Sequence, residues 1–367
     1  MQVGVVLPCS FPVRQTLAAL SAAEASRADS VWLTDHLLGV VHPGIEQTVA
    51  GAGPDPDSWL DPIVVAAALG VRTRLPVGLA VTDGVRRRPA DLARAALSVS
   101  HLCPGGFNLG IGAGEAMNLT PFGYDFAHPV RDLTAFLGDL RGLLDGRPLA
   151  GPAYTASRLA RREIARPRIW VAGHGPRMLK LTGEHADGWL PAWPMSPDDY
   201  AAKRLAVSDI ATAAGRPAPE AGLFANVLLG ESREAVLDAL DAEPSSKLRA
   251  LGAPGWLWEK HGVRHPGGPT SRGFVDVVVH ELDPRVLREL APRIPSALLA
   301  DMWFVGSQTQ VIDRIRTYEL AGCEHIVLAD AGGCLIRDAP AVDRAVDGAA
   351  GAFADLIGSI NAVGRVS

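Results

Sequence analysis

Short apolar runs recur along the chain, each closed by small, polar or charged residues: 3–7, 30–34, 75–81, 107–113, 168–172, 187–191, 221–229 and 325–330. Their length and spacing predict strands. The stretches between them carry helical periodicity and start signals, which predicts helices over 14–25, 58–69, 89–102, 129–144, 175–185, 197–214, 231–241 and 308–321. Strand and helix in near-continuous alternation imply an α/β fold with a parallel sheet, and eight strands are the number that a closed (β/α)8 TIM barrel requires.

Three stretches interrupt the alternation. The first, about 37–57, is rich in Gly and Pro (Gly51-Ala52-Gly53-Pro54-Asp55-Pro56) and follows directly on Asp35-His36, so a loop over a site is expected there. The second, 146–167, is a polar insertion ahead of the fifth strand. The third, about 243–306, holds Gly252-Ala253-Pro254-Gly255-Trp256-Leu257-Trp258 and His265-Pro266-Gly267-Gly268-Pro269, then helix-like segments at 283–292 and 296–301. No hinge-like linker and no repeat of fixed period stands out, so the expectation is a single barrel domain over 1–367 with insertions. The stretch 339–361 reads as a closing amphipathic helix.

Composition narrows the function classes. The chain has 367 residues, 48% hydrophobic and 20% charged, which suits a globular core and argues against extended disorder. A net charge of -5 gives no global reason to expect nucleic acid or an anionic membrane as partner. No apolar run approaches the roughly 20 residues that span a bilayer. Met1 to Pro8 is apolar without a basic n-region and reads as a first strand rather than a signal peptide. Cys9, Cys103, Cys323 and Cys334 are scattered without metal spacing and read as free thiols, so a cytoplasmic protein is expected.

The chemistry gathers where the apolar runs stop. Val31-Trp32-Leu33-Thr34-Asp35-His36 ends on a carboxylate and an imidazole, and His is the side chain that exchanges a proton near neutral pH. Phe107-Asn108-Leu109-Gly110-Ile111-Gly112-Ala113-Gly114-Glu115 offers Glu115 as an acid, with Asn118 three positions on; the small residues would let a planar ring lie against backbone. Ile169-Trp170-Val171-Ala172-Gly173-His174-Gly175-Pro176 is a strand, a Gly-His-Gly turn and a helix start, whose amide groups form a phosphate cradle. Arg86-Arg87-Arg88 before Pro89 is either a solvated helix start or the neighbour of an anionic ligand, because cations sit unfavourably at a helix N-terminus. His261 and His265 are four apart, but Gly262 and Pro266 oppose a helix, so no metal site is expected. A nucleophilic serine elbow and a Walker loop are both missing, which disfavours triad hydrolysis.

Four of these segments, Thr34-Asp35-His36, Ala80-Val81, Gly112-Ala113-Gly114-Glu115 with Asn118, and Ala172-Gly173-His174-Gly175-Pro176, resemble the bacterial luciferase-like superfamily of TIM barrels in order and spacing. The wording is most similar to the branch that uses the deazaflavin coenzyme F420, and within it to the phthiodiolone ketoreductase-like reductases. That resemblance implies a coenzyme ring across the barrel mouth, a non-prolyl cis peptide between Ala80 and Val81, and Asp35, Thr82 and Asn118 against the ring or its side chain. It implies the coenzyme phosphate at Ala172, Gly173, His174, Gly175 and Pro176, with His36 and Glu115 as the catalytic groups flanking the substrate. It also implies a homodimer and the reduced coenzyme as hydride donor.

The resemblance departs from the sugar-phosphate dehydrogenases of that branch, whose tryptophan after the Asp-His pair is not found in Leu37-Leu38-Gly39-Val40. Glucose 6-phosphate is therefore disfavoured. Trp189, Trp193, Trp256 and Trp258 either line an apolar substrate pocket or belong to the core. The expectation is an F420H2-dependent reductase of a ketone or activated carbon–carbon double bond in specialised metabolism. Its alternatives are a dehydroalanine reductase acting on a modified peptide in lanthipeptide biosynthesis, an FMN-dependent monooxygenase on the same barrel, and a non-catalytic binding module.

Overall fold

Eight parallel strands close on themselves in the computed structural model, which describes residues 1–45, 55–151, 154–159, 164–192, 195–332 and 351–362. In chain order the strands are β1 (Gln2–Leu7), β2 (Ser30–Leu33), β3 (Val77–Leu79), β4 (Thr82–Asp83), β5 (Phe107–Gly112), β6 (Leu149–Gly151), β7 (Tyr154–Ser157), β8 (Arg168–Val171), β9 (Gly188–Trp189), β10 (Glu220–Leu229), β11 (Phe304–Gly306) and β12 (His325–Asp330). The barrel runs β1-β2-β3-β5-β8-β9-β10-β12 and returns to β1, every pairing parallel. All eight apolar runs of the sequence reading are barrel strands, as a TIM barrel requires.

Size complementarity fills the barrel. Trp32 of β2 and Trp170 of β8 meet edge to face, with ring centroids 5.4 Å apart, and both are fully buried. Glycines on the adjacent strands make the room. A Cβ on Gly78 of β3 would lie 2.3 Å from Trp32, and one on Gly188 of β9 would lie 2.3 Å from Trp170.

Helices start where the sequence marks them, most often with Pro in the first turn: Pro62–Gly70, Pro89–Leu102, Pro129–Leu144, Pro176–His185 and Pro197–Ala213. The helix expected from 58 starts at Pro62, because the Asp61 carboxylate accepts the amides of Ile63 and Val64, while Trp59 bridges to Ser10 instead. The third strand is shorter than its apolar run. The Ala80–Val81 peptide is cis, and the chain rejoins the sheet only at β4, beside β5.

The interruptions have structure of their own. Residues 146–167 contain the antiparallel β6–β7 hairpin. Residues 243–306 contain the helices Gly255–Lys260, Pro284–Leu290 and Ser296–Met302 and end in β11, which extends the far end of β10 and had no forewarning in the sequence. This segment builds a second apolar cluster around Leu248, Trp258 and Leu298, which takes in Val41 and Ile45 from the loop after β2. The tail is helical over 351–362; the rest of the expected closing helix lies outside the described residues. Cys9, Cys103 and Cys323 are buried free thiols, and Cys334 also lies outside the described residues.

Candidate active site

The carboxyl ends of β2, β4 and β5 bring three groups of polar side chains together. Asp35, just past β2, is buried and accepts a 2.6 Å hydrogen bond from Thr82 Oγ1 of β4. The same oxygen takes Arg86 Nη2 at 2.8 Å and Arg87 Nη1 at 3.3 Å. Arg86 also pairs through Nε with Asp83 of β4, and Arg87 through Nη2 with Asp61 at 2.6 Å. Burial alone would lower the Arg86 pKa, but the Asp35 and Asp83 carboxylates outweigh it and raise it. Arg86 and Arg87 are thus neither a solvated helix start nor in need of an external anion: carboxylates of the chain answer them. Only Arg88, which precedes Pro89, is exposed.

Gly114, at φ +92, turns the chain out of β5 in a left-handed conformation that glycine adopts readily, and Glu115 follows at the head of the short helix Ala116–Leu119. Asn118 in that helix is the hub. Its Oδ1 accepts the backbone amides of Leu37 at 2.8 Å and Leu38 at 3.3 Å. Its Nδ2 lies 3.2 Å from His36 Nδ1 and 3.2 Å from Glu115 Oε2. Burial pushes the Glu115 carboxyl up to about 7; the Asn118 hydrogen bond and Arg86 oppose this, and Asp83 adds to it. Burial pushes His36 down to about 4, against Asp35 and with the help of Arg86. At neutral pH His36 is therefore a neutral imidazole, and Glu115 exchanges a proton readily.

The glycines of β5 serve the sheet rather than an open surface. A Cβ on Gly110 would lie 1.9 Å from the Leu79 carbonyl oxygen, and one on Gly112 3.1 Å from Val81. The neighbouring strand takes the Cβ directions, which accounts for glycine at both positions. Ala80 and Val81 pack over the Trp32 and Trp170 rings, flooring the mouth.

Residues 172–176 lie next door, because β8 pairs with β5. The Ala172 amide donates to Ile111, and the Gly173 carbonyl accepts Trp189 Nε1 at 3.0 Å. His174 Nε2 accepts the Ala192 amide at 3.2 Å, which leaves its proton on Nδ1. Burial, with Lys203 adding, lowers its pKa to about 4. Gly175 precedes the helix Pro176–His185 with no side-chain cap, and the direction a Cβ would take is open.

Sequence reasoning missed Trp59. Its ring stands 4.8 Å from that of His36, centroid to centroid, and its Nε1 is buried without a hydrogen-bond partner. Of the tryptophans weighed for a substrate pocket, Trp189 stacks on Tyr200 at 5.1 Å and Trp258 is buried in the second cluster, so both are core. Trp256 is 53% exposed, and Trp193 lies outside the described residues. His261 bonds to Asp301 and His265 to the Leu251 carbonyl; among the described residues no group of His, Cys, Asp and Glu is arranged to hold a metal ion.

Known proteins share this arrangement's framework. The profile of the luciferase-like monooxygenase family matches residues 1–325. A phthiodiolone/phenolphthiodiolone dimycocerosates ketoreductase of Mycobacterium tuberculosis is 33% identical over 346 residues, 88% of this chain and 88% of its own. An F420-dependent glucose-6-phosphate dehydrogenase of Beutenbergia cavernae is 26% identical over 333 residues, 87% of this chain and 88% of its own. A solved F420-dependent secondary alcohol dehydrogenase in complex with an F420-acetone adduct superimposes with a TM-score of 0.70 at 18% identity, covering 98% of both chains. The EDTA monooxygenase of Chelativorans sp. BNC1 gives 0.67 at 15% identity, covering 98% of this chain and 93% of that one, a likeness of fold alone. With its barrel closed and the family profile spanning most of its length, the chain belongs to the luciferase-like monooxygenase family.

Proposed function

We propose that the protein is an F420H2-dependent reductase of a ketone. The observation that carries this reading is the pairing of a neutral His36 with a Glu115 carboxyl of pKa about 7, both held by one amide at the barrel mouth. A reduction that adds hydride to carbon must also deliver a proton to oxygen, and a buried acid that titrates near neutrality is suited to that. The ketoreductase and F420-dependent relatives support both the substrate class and the coenzyme.

The residues fit the coenzyme. The uncapped, open helix start at Gly175-Pro176, with His174 Nδ1–H beside it, suits a phosphate. Asp35, Ala80, Val81 and Thr82 would hold the coenzyme ring. When bound, reduced F420 supplies a hydride from C5 of its ring. Glu115 would give its proton to the substrate oxygen, and His36 would stabilise the negative charge there by hydrogen bonding. Asp35 is locked by Thr82, Arg86 and Arg87, so the floor of the mouth keeps its shape during turnover. The homodimer and the cytoplasmic setting expected from the sequence belong to the same reading; light scattering of the purified protein reads the first.

The test is a fluorescence titration of the purified protein with F420 and, separately, with FMN, followed by turnover of F420H2 with simple ketones. Tight F420 binding with FMN ignored, and ketone-dependent oxidation of F420H2, is the expected result. A preference for FMN would overturn the reading in favour of an oxygen-dependent reaction on the same barrel.

A further inference from the structure

We propose that Asn118 is a positioning residue whose amide fixes the proton of His36 on Nε2 and that of Glu115 on Oε1, so that both protons point to the substrate oxygen. The proposal rests on the reductase reading for what those protons do, but not for where they sit.

The argument is one of donors and acceptors. The amides of Leu37 and Leu38 can only donate, so the Asn118 atom facing both of them is the carbonyl oxygen, and the orientation of its side chain is set. The other end is then the NH2 group, which can only donate. It faces His36 Nδ1 and Glu115 Oε2, each at 3.2 Å, so both of these must accept. A neutral imidazole with a bare Nδ1 carries its hydrogen on Nε2. In a protonated carboxyl the carbonyl oxygen is the stronger acceptor, so Oε2, which takes the amide hydrogen, is the carbonyl and the hydrogen sits on Oε1. Among the described residues neither His36 Nε2 nor Glu115 Oε1 has a hydrogen-bond partner, whereas both hydrogens and both lone pairs of the Asn118 amide are engaged within the chain. Such an amide is built to orient its neighbours. Burial keeps His36 neutral, which lets a single tautomer persist across the physiological range.

The test uses histidine labelled with 15N and long-range 1H–15N correlation spectra near neutral pH, with His36 assigned by its disappearance in His36→Gln. In the native chain His36 should show a bare Nδ1 and a protonated Nε2. In Asn118→Asp an acceptor replaces the NH2 group, and Nδ1 of His36 should become protonated. A native Nδ1–H tautomer, or no change in the variant, would overturn the proposal, and the native spectrum decides even if the variant does not fold. In parallel, Asn118→Asp should lower kcat for ketone reduction by about 10²-fold while F420 affinity stays within about twofold of native. Lost F420 affinity with an unaltered tautomer would instead make Asn118 a coenzyme contact and overturn the proposal. The spectra speak whether or not F420 is the coenzyme, so a failure of the reductase reading is seen separately, in the coenzyme titration.

Discussion

Replacing Glu115 by Gln keeps shape and hydrogen bonding but removes the proton, and kcat should fall by about 10²–10⁴-fold. If the protonated carboxyl is the donor, as proposed, kcat should decline as pH rises through about 7, and Glu115→Gln should lose that limb. The same substitution should raise stability where it lowers kcat. The folded pKa, about 7, lies above the ordinary value of 4.5, so the stability that Glu115 contributes is present below the ordinary value and lost as pH rises to about 7. Glu115→Gln should therefore unfold at higher urea than native at pH 8 and at about the same urea at pH 4; a lower midpoint at pH 8 would contradict the burial argument. Much at this scale was legible in the sequence. Asp35, His36 and Glu115 stood out because apolar runs rarely stop on charge. The roles of Arg86 and Arg87 were not, because Asp35 and Asp61 lie tens of residues earlier in the chain and come within reach only once β2 and β4 share a sheet.

Among the elements, the two ends of the barrel divide the work. At the amino ends of β2, β10 and β12, His325 Nε2 lies 2.9 Å from Ser30 Oγ, and His325 Nδ1 3.1 Å from Glu220 Oε1. The order serine, histidine, carboxylate is that of a nucleophilic triad. Yet Ser30 is 1% exposed, and its hydroxyl also takes Trp32 Nε1 at 2.8 Å, so the cluster closes the barrel floor and meets no substrate. His325→Ala should destabilise the fold by about 2–4 kcal/mol, because it removes a buried ring packed on Trp32 and Trp170 and leaves the Ser30 hydroxyl proton unpaired, while Glu220 keeps Arg168, and should leave KM and kcat near native. Denaturant unfolding and steady-state kinetics on one preparation check both halves. The strand pattern itself was readable, since alternating apolar runs and Pro-led helices state their own boundaries. β11 was not: three residues inside an irregular insertion carry no period.

For the whole molecule, the insertion 243–306 and the loop after β2 hold each other. Val41 and Ile45 sit in the insertion's apolar cluster, Arg288 Nη2 donates to the Gly44 carbonyl at 2.7 Å, and His280 Nε2 lies 3.0 Å from Asp57, which in turn accepts the Gly39 amide at 2.6 Å. His280→Ala should free this loop: hydrogen exchange over residues 37–45 should speed up by about tenfold, with KM rising more than kcat falls. Unchanged exchange there would mean that the apolar contacts alone hold the loop. Such a clamp was invisible in sequence, because its halves are more than two hundred residues apart.

The groups proposed to move protons follow β2 and β5, and the floor lies on β3 and β4, whereas the segment that braces the loop above them comes from between β10 and β12. The two meet at one point: Met117, between Glu115 and Asn118, is buried in the insertion's apolar cluster. A lineage exchanging residues 243–306 would therefore inherit its chemistry only if the new segment kept an apolar seat for that side chain, as a lock may be rekeyed only while the frame still holds the door.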